Sequence, residues 1–415
     1  MRFLYSLAWL IALPFAFLHL LKRARRQPEY LWHWRERLGL ALIPATGRPL
    51  LWLHAVSVGE TRAAAPLVRA LWERHPGHAI LLTHATPTGR ATGRDLFGDS
   101  VIQAYLPYDF PPLIWLFLRR AKPVMGVIME TEIWPNLYAA CARRGIPLYL
   151  ANARLSEKSA RGYGRFRALT APALRSLAGI AAQTASDARR LESLGATSVE
   201  VCGNVKFDVT PPADTGERAH GLRGLFRDRF VFLAASTRDG EEALLLDEFA
   251  NLTLPGLLIV LVPRHPQRFA AVATLLEERK IAYVRRGANQ PLRDDTRVLL
   301  GDSMGELAAY YTAADLAYVG GSLLPLGGQN LIEAAAAGCP ALIGPHTWNF
   351  AEAAEQAVAC GAAQRVADAE VLAKAVLALS RDPETRQRMR AAGLQFAAAN
   401  RGATERIMAL LERHL

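Results

Sequence analysis

The sequence is poor in cysteine and lacks the common metal and nucleotide signatures. Its four cysteines, Cys141, Cys202, Cys339 and Cys360, lie far apart and form no C-x-x-C pair. That spacing argues against zinc and suits a reducing compartment. There is no P-loop, no G-x-G-x-x-G after a strand-like run, no G-x-S-x-G and no H-E-x-x-H, so the chemistries those motifs serve are unsupported. No D-x-D is present to hold a divalent metal beside a diphosphate. Zinc-finger and RNP-like motifs are missing as well, which leaves nucleic-acid binding without support. Internal repeats, low-complexity tracts and long disordered stretches are also lacking.

What is present is apolar and basic. At 415 residues the chain exceeds what one core usually fills, so two domains of roughly 150 to 200 residues each are expected. Residues Phe3 to Leu21, FLYSLAWLIALPFAFLHLL, carry no formal charge and one interruption, Pro14. At about 1.5 Å per residue this stretch is just long enough to cross a hydrocarbon core. Lys22, Arg23, Arg25 and Arg26 follow at once, while only Arg2 and the terminal amine precede it. The positive-inside rule then assigns the remainder to the cytoplasm. A cleaved signal peptide is disfavoured because no small-residue cleavage site precedes the basic cluster. The net charge of +11 fits work against an anionic lipid face; a basic cytosolic enzyme is the alternative.

After this anchor, strand-like apolar runs at 50–57, 79–85, 101–108, 123–130, 146–153, 179–184 and 198–204 alternate with helical stretches. A polar segment at 210–221, TPPADTGERAHG, reads as a linker. The alternation resumes at 229–237, 256–265, 281–286, 297–303, 316–322 and 340–346. The pattern predicts an anchor with its basic flank (1–26), a first domain (27–209), the linker (210–221) and a second domain (222–415). Each domain is expected to be α/β, a doubly wound parallel sheet covered by helices. Ligands of such sheets bind beyond the carboxyl ends of the strands, so a cleft between the domains is the expected site.

Polar clusters sit at those strand ends: SVGE (57–60), THATPTG (83–89), ETEIWPN (130–136), GNVKFD (203–208), ASTRDGEE (235–242), PRHPQR (263–268), GDSMGEL (301–307) and GGSLLPLGGQNLIE (320–333). Ser57 and Glu60 have capping-box spacing, yet the same place suits a proton-accepting carboxylate. Glu130 and Glu132 are close enough in sequence for one to raise the pKa of the other, or they belong to a capped turn before Pro135. Lys206 is either a solvated turn lysine or a cation at the site. Arg264 and His265 are placed to meet phosphate. In the last segment, glycines 320, 321, 327 and 328 would let backbone N–H groups approach an anion at the start of a helix. Glu333 would face ribose hydroxyls or complement that helix's dipole. Loop, helix, acid and the following strand point to a nucleotide-sugar site. Arg143, Arg144, Arg154, Lys158, Arg161, Arg165 and Arg167, against Glu157 alone, form a basic patch that would meet a membrane or acceptor phosphates.

HAVSVGE, ATPTG, ETEIWPN, GNVKFD, AST-x-x-GEE, PRHPQRF, GDSMGEL, the GGSL loop with GGQN-x-x-E, and GPHTWNF occur in this order. Together they resemble the 3-deoxy-D-manno-octulosonic acid (Kdo) transferases of Gram-negative lipopolysaccharide synthesis, over nearly the whole chain. The resemblance implies a GT-B fold of two Rossmann-like domains facing a central cleft, with the first binding acceptor and the second CMP-Kdo. It also implies an inverting transfer of Kdo from CMP-Kdo to lipid IVA at the inner membrane, without metal or cofactor. Glu60 matches the family's general base, and Glu130 and Lys206 its transition-state stabilisers. Arg264 with His265, Met304, Gly305 and Glu306, and Asn330, Leu331, Ile332 and Glu333 match its CMP-binding segments. The chain departs from the family pattern at Gln329 and Arg238, where histidines are expected, and at Leu331 and Ala334, where prolines are. Two rivals remain open on the residues alone: a nucleotide-sugar epimerase of the same architecture, which needs no anchor, and a non-catalytic membrane scaffold, which needs no strand-end acids.

Overall fold

The computed structural model describes residues 1–25, 27–44, 46–250 and 252–415; Arg26 of the basic flank lies outside them. They divide into two compact units, Met1–Val209 with Arg401–Leu415, and Thr210–Asn400.

The first unit holds seven strands: β1 (Leu50–His54), β2 (Ala79–His84), β3 (Ile102–Tyr105), β4 (Pro123–Met129), β5 (Leu148–Ala153), β6 (Gly179–Ala182) and β7 (Val199–Val201). They form one sheet in the order β3-β2-β1-β4-β5-β6-β7, parallel throughout. Strands β1, β2, β5 and β6 are buried at every position. Their sequences therefore read as continuous apolar runs rather than alternating ones. Because β1 pairs with both β2 and β4, the winding reverses there, and the carboxyl ends of β1 and β4 become the ligand-binding position.

Helices cover both faces. The helix α1 spans Arg2–Ala24, α2 Val58–Arg74, α3 Pro87–Phe97, α4 Pro111–Ala121 and α5 Pro135–Arg143. On one side Trp52, Leu81, Ile128 and Leu150 pack with Phe117 and Leu137 of α4 and α5. Leu51, Leu53, Leu82 and Val127 pack on the other side with Ala64 and Val68 of α2.

This second face is completed by the chain's last helix, Ala403–Leu411, through Ile407, Met408 and Leu411. Residues 401–415 thus belong with the first unit, not with the second as their position in sequence suggests. Asp208 fixes the return, accepting hydrogen bonds from the N–H of Gly402 at 2.7 Å and of Thr404 at 2.6 Å. Arg406 adds a bond from Nε to the Cys202 carbonyl at 2.7 Å.

The helix α1 lies against the same unit along one stripe. Ser6 donates to the Asn136 side chain at 3.1 Å, the rings of Trp9 and Tyr108 sit 5.8 Å apart, and those of Phe17 and Trp34 are 5.7 Å apart. Leu20 and Ala24 are buried. The opposite stripe, which includes Phe3, Leu7, Leu10, Ile11, Phe15 and Leu18, is exposed.

In the second unit the strands are β8 (Phe230–Thr237), β9 (Leu257–Pro263), β10 (Tyr283–Arg285), β11 (Val298–Leu300), β12 (Leu316–Val319), β13 (Ala341–Ile343) and β14 (Ala363–Arg365). Their order is β10-β11-β9-β8-β12-β13-β14, again parallel. The carboxyl ends of β11, β9, β8 and β12 therefore stand side by side. Strand β14 escapes a sequence reading because only Ala363 in it is buried, so no apolar run announces it. The expected linker is partly helical: Thr215–Phe226 is a helix whose Ala219, Leu222 and Phe226 are buried. That spacing gives an otherwise polar run one apolar edge.

Candidate active site

In the first unit the site grows out of the end of β1. The chain leaves the sheet at His54, turns through Ala55 and Val56, and enters α2 with Ser57 as N-cap. The Ser57 hydroxyl accepts from the Glu60 N–H at 3.5 Å and donates to Glu60 Oε1 at 3.1 Å. The Val56 N–H donates to Glu60 Oε2 at 2.8 Å. The capping box is thus present in shifted form, with the carboxylate reaching back one residue beyond the cap's own N–H. Glu60 is half-buried, and its pKa is raised to about 7, first by that burial, then by the charges of Glu130 and Glu132. The bonds from Val56 and Ser57 oppose the shift without cancelling it. A carboxyl group that titrates near neutrality suits proton transfer, and its capping bonds do not stand in the way of that use.

Strand β4 delivers Glu130 beside it. Glu130 has φ +57, a left-handed backbone that a non-glycine residue adopts at a cost and that clusters at functional sites. Its N–H donates to the Ala151 carbonyl at 2.8 Å, and its carboxylate pairs with Lys206 Nζ at 3.1 Å. Glu132 is shifted upward by burial and by Glu130. The same Glu130 charge thus raises both Glu132, as the sequence spacing suggests, and Glu60, which the spacing does not reveal.

Asn152 is a residue the sequence reading missed. Fully buried at the end of β5, with φ +56, it accepts the Val205 N–H at 3.1 Å on its side chain and the Gln183 side-chain amide at 3.0 Å on its carbonyl. It thereby ties the turn that carries Lys206 to the strand beside Glu130. A polar residue at the close of the apolar run LYLANA is the signal that would have found it. Asp109 plays a comparable part for the ETEIWPN turn, accepting the N–H groups of Asn136 and Leu137 at 3.1 and 2.8 Å.

The second unit assembles cations. Arg264 leaves β9 and donates through Nε to Gln329 Oε1 at 3.2 Å. Next to Gln329, the Asn330 side chain donates to Glu333 at 2.9 Å and accepts the Ile332 N–H at 3.1 Å. His265 is exposed; partial desolvation and the charges of Arg264 and Arg238 lower its pKa and so favour the neutral ring. Arg238, noted in the sequence only as a departure, therefore belongs to this positive cluster. Beyond the end of β11, Met304 is exposed and Gly305 has φ +82. Glu306 is buried and pairs with Arg286 at 2.9 Å. Its burial opposes ionisation, yet bonds from Ser303 and Arg286 hold its pKa below the usual carboxylate range. Leu331 and Ile332 are buried apolar side chains, which leaves their backbone as the part able to meet a ligand.

The glycine loop departs from expectation. The N–H of Gly320 donates to the Ala235 carbonyl at 2.8 Å, that of Gly328 to Gly321 at 2.7 Å and that of Gln329 to Gly320 at 2.9 Å. The Gly321 N–H goes to the Glu241 carboxylate at 2.6 Å. The N–H groups of Gly320, Gly321 and Gly328 are thus committed to Ala235, Glu241 and Gly321 rather than open to an anion. The helix that follows, Ile332–Ala336, has five residues, too few for a substantial dipole. Glycine at 320 answers a packing need instead, since a Cβ there would stand 2.5 Å from the Ser236 carbonyl oxygen.

Among the described residues, no group of three or more His, Cys, Asp or Glu side chains is assembled as a metal site. On the patch from 143 to 167, all the arginines and Lys158 are exposed except the half-buried Arg154, and Phe166 between Arg165 and Arg167 is 60% exposed.

Comparison with known proteins bears on this geometry. The family described as 3-Deoxy-D-manno-octulosonic-acid transferase (kdotransferase) matches residues 32–209, and that described as Glycosyl transferases group 1 matches residues 277–396. The 3-deoxy-D-manno-octulosonic acid transferase of Bordetella pertussis is 44% identical, with 99% of each chain covered. That of Haemophilus influenzae is 38% identical, covering 100% of this chain and 99% of its own. Among solved structures, the UDP-GlcNAc 2-epimerase from Neisseria meningitidis bound to UDP-GlcNAc superposes with a TM-score of 0.60 at 16% identity, covering 88% of this chain and all of its own (100%). At that identity the likeness shows the fold and carries no information on the reaction.

Proposed function

The chain belongs to the 3-deoxy-D-manno-octulosonic acid transferase family, a family of glycosyltransferases, and on that premise we propose that it transfers Kdo from CMP-Kdo to lipid IVA, with inversion and without a metal. One observation carries the catalytic assignment: a carboxylate at the carboxyl end of β1, Glu60, has a pKa near 7. As general base, Glu60 takes the proton of the attacking lipid IVA hydroxyl. The bond from that oxygen to the anomeric carbon forms while the bond from the same carbon to the CMP phosphate breaks, through an oxocarbenium-like transition state, and CMP departs with the bonding pair.

Glu130 and Lys206 act together as stabilisers. Their 3.1 Å pair offers a fixed negative and a fixed positive group near the base, and preorganised charge of this kind needs no reorganisation during reaction. Arg264 and Arg238, with His265 beside them, suit the CMP phosphate. Glu306, Asn330 and Glu333 suit the nucleoside's hydrogen-bonding groups.

The acceptor reading rests on the basic patch and α1. A helix that packs one stripe on its own domain and exposes an apolar stripe is suited to lying in the interface rather than crossing it. Lys22, Arg23 and Arg25 at its end would meet anionic headgroups of the inner membrane's cytoplasmic face. The epimerase alternative has only the fold in its favour. The scaffold alternative leaves the raised pKa of Glu60 without a purpose.

Incubation of the purified protein with CMP-Kdo and lipid IVA in EDTA tests the proposal. Release of CMP that depends on lipid IVA is expected; release that ignores the acceptor, or none, contradicts it.

A further inference from the structure

Two adjacent carboxylates, Glu241 and Glu242, are completely buried behind the end of β8, and they have divided tasks. Glu242 has a cation, Arg268, at 2.9 Å and the Thr237 hydroxyl at 2.8 Å. Glu241 has no cationic partner among the described residues. Its Oε2 accepts the N–H of Gly321 at 2.6 Å and of Arg238 at 2.9 Å. Its Oε1 accepts the Tyr318 hydroxyl at 2.5 Å and the Leu323 N–H at 3.2 Å. A buried carboxylate without a counterion is costly, and four donors aimed at it are what make it tolerable.

Those donors come from the end of β8, the end of β12 and the glycine loop, so Glu241 is where the loop is fastened to the sheet. From it a chain of bonds runs outward. The Gly321 carbonyl accepts the Gly328 N–H at 2.7 Å, and the Gly320 carbonyl accepts the Gln329 N–H at 2.9 Å. Gln329 in turn holds Arg264 at 3.2 Å, and Arg238 is attached to Glu241 directly through its backbone.

We propose that Glu241 is a positioning residue for donor binding: it fastens the glycine loop so that Gln329 and Arg264 on one side and Arg238 on the other converge on one anion. The inference rests on the proposed binding of CMP-Kdo by the second unit. Glu241 does not touch the donor. It decides where the groups that do are held, and hydrogen bonds to an anion weaken steeply as their distance and angle depart from the optimum. What the site needs from Glu241 is hydrogen-bond acceptors rather than charge. Gln at this position can keep its oxygen toward Gly321 and Arg238 and turn its amide toward the Tyr318 hydroxyl, which can accept, while the Leu323 N–H retains that hydroxyl oxygen as its acceptor at 3.0 Å.

The experiment compares wild type, Glu241→Met and Glu241→Gln, as full-length protein, in steady-state transfer with CMP as competing inhibitor. Glu241→Met is expected to raise the KM for CMP-Kdo and the Ki of CMP about tenfold or more, with the KM for lipid IVA unchanged. Glu241→Gln is expected to stay within about threefold of wild type because it preserves the acceptor toward the loop. A lower kcat and melting temperature in Glu241→Met with both KM values unchanged would make the residue structural only and overturn the inference. Should Glu241→Met not fold, hydrogen exchange in the wild type decides. The Gly321 and Leu323 amides, which lie in no strand or helix, should exchange slowly, and exchange at open-loop rates overturns the fastening. Wild type that neither uses CMP-Kdo nor is inhibited by CMP would overturn the donor reading itself, and the inference with it.

Discussion

Glu60 caps a helix at a cost to stability, and the same burial is what suits it to the proposed role of base. Its carboxyl pKa rises from 4.5 to about 7 on folding. Below pH 4.5 both folded and unfolded states hold the proton and no penalty exists; the penalty accumulates between pH 4.5 and 7 and is constant above. Glu60→Gln should therefore raise the melting stability at pH 8 by about 1 kcal/mol, after allowance for solvent screening at a half-buried site. The gain should vanish below pH 4.5. Thermal melts at the two pH values check this, and an unchanged or lower stability at pH 8 contradicts the raised pKa. The rate carries the same signature with the opposite consequence. A base must be deprotonated, so kcat/KM should fall as pH drops below about 7. Because the Glu130 charge helps hold Glu60 up, Glu130→Gln should move that acid limb to lower pH while reducing the maximal rate. A limb that stays in place or moves upward would separate the two carboxylates. The S-x-x-E spacing was legible in sequence, but the spacing alone could not decide between cap and base. Burial and the approach of Glu130 from a strand some seventy residues later raise the pKa of Glu60 and favour the base, and neither is a local property.

At the level of elements, the apolar runs announced their strands because parallel strands are buried on both faces. What escaped were pieces whose burial is decided by distant partners. Strand β14 shows one buried residue. The helix Thr215–Phe226 hides its apolar edge in a polar run. The helix Ala403–Leu411 looks like a continuation of the second domain until Asp208 and the α2 face of the first sheet claim it. Its Leu411 is fully buried, so Leu411→Ala should destabilise by about 2 to 4 kcal/mol, read from the urea midpoint of the first unit; a loss below about 0.5 kcal/mol would detach this helix from the fold. For α1 the exposed stripe is the testable feature. Leu7→Glu with Ile11→Glu should reduce partition onto phosphatidylglycerol-rich vesicles severalfold, while the same change at buried Leu20 would act on folding instead. Partition unaltered by the exposed pair would remove α1 as the membrane contact.

Across the whole molecule, two doubly wound sheets each bring polar residues to a point where the winding reverses. The first collects Glu60, Glu130 and Lys206, and the second Arg238, Arg264 and the loop from Gly320 to Glu333. Ordered motifs made both clusters legible, since strand-end residues in such sheets share one edge whatever their separation in sequence. The direction of each donor was not legible: the loop glycines looked free to bind an anion, yet the N–H groups of Gly320, Gly328 and Gly321 are spent on Ala235, Gly321 and Glu241. The most direct measurement of the central claim is mass spectrometry of lipid IVA incubated with CMP-Kdo and the purified protein, run beside Glu60→Gln. Wild type should add one or more Kdo residues, and the variant, while still binding CMP, should be slower by about a hundredfold or more. An undiminished gain with Glu60→Gln would contradict Glu60 as the base, and no gain with folded wild type and verified substrates would contradict the transfer itself.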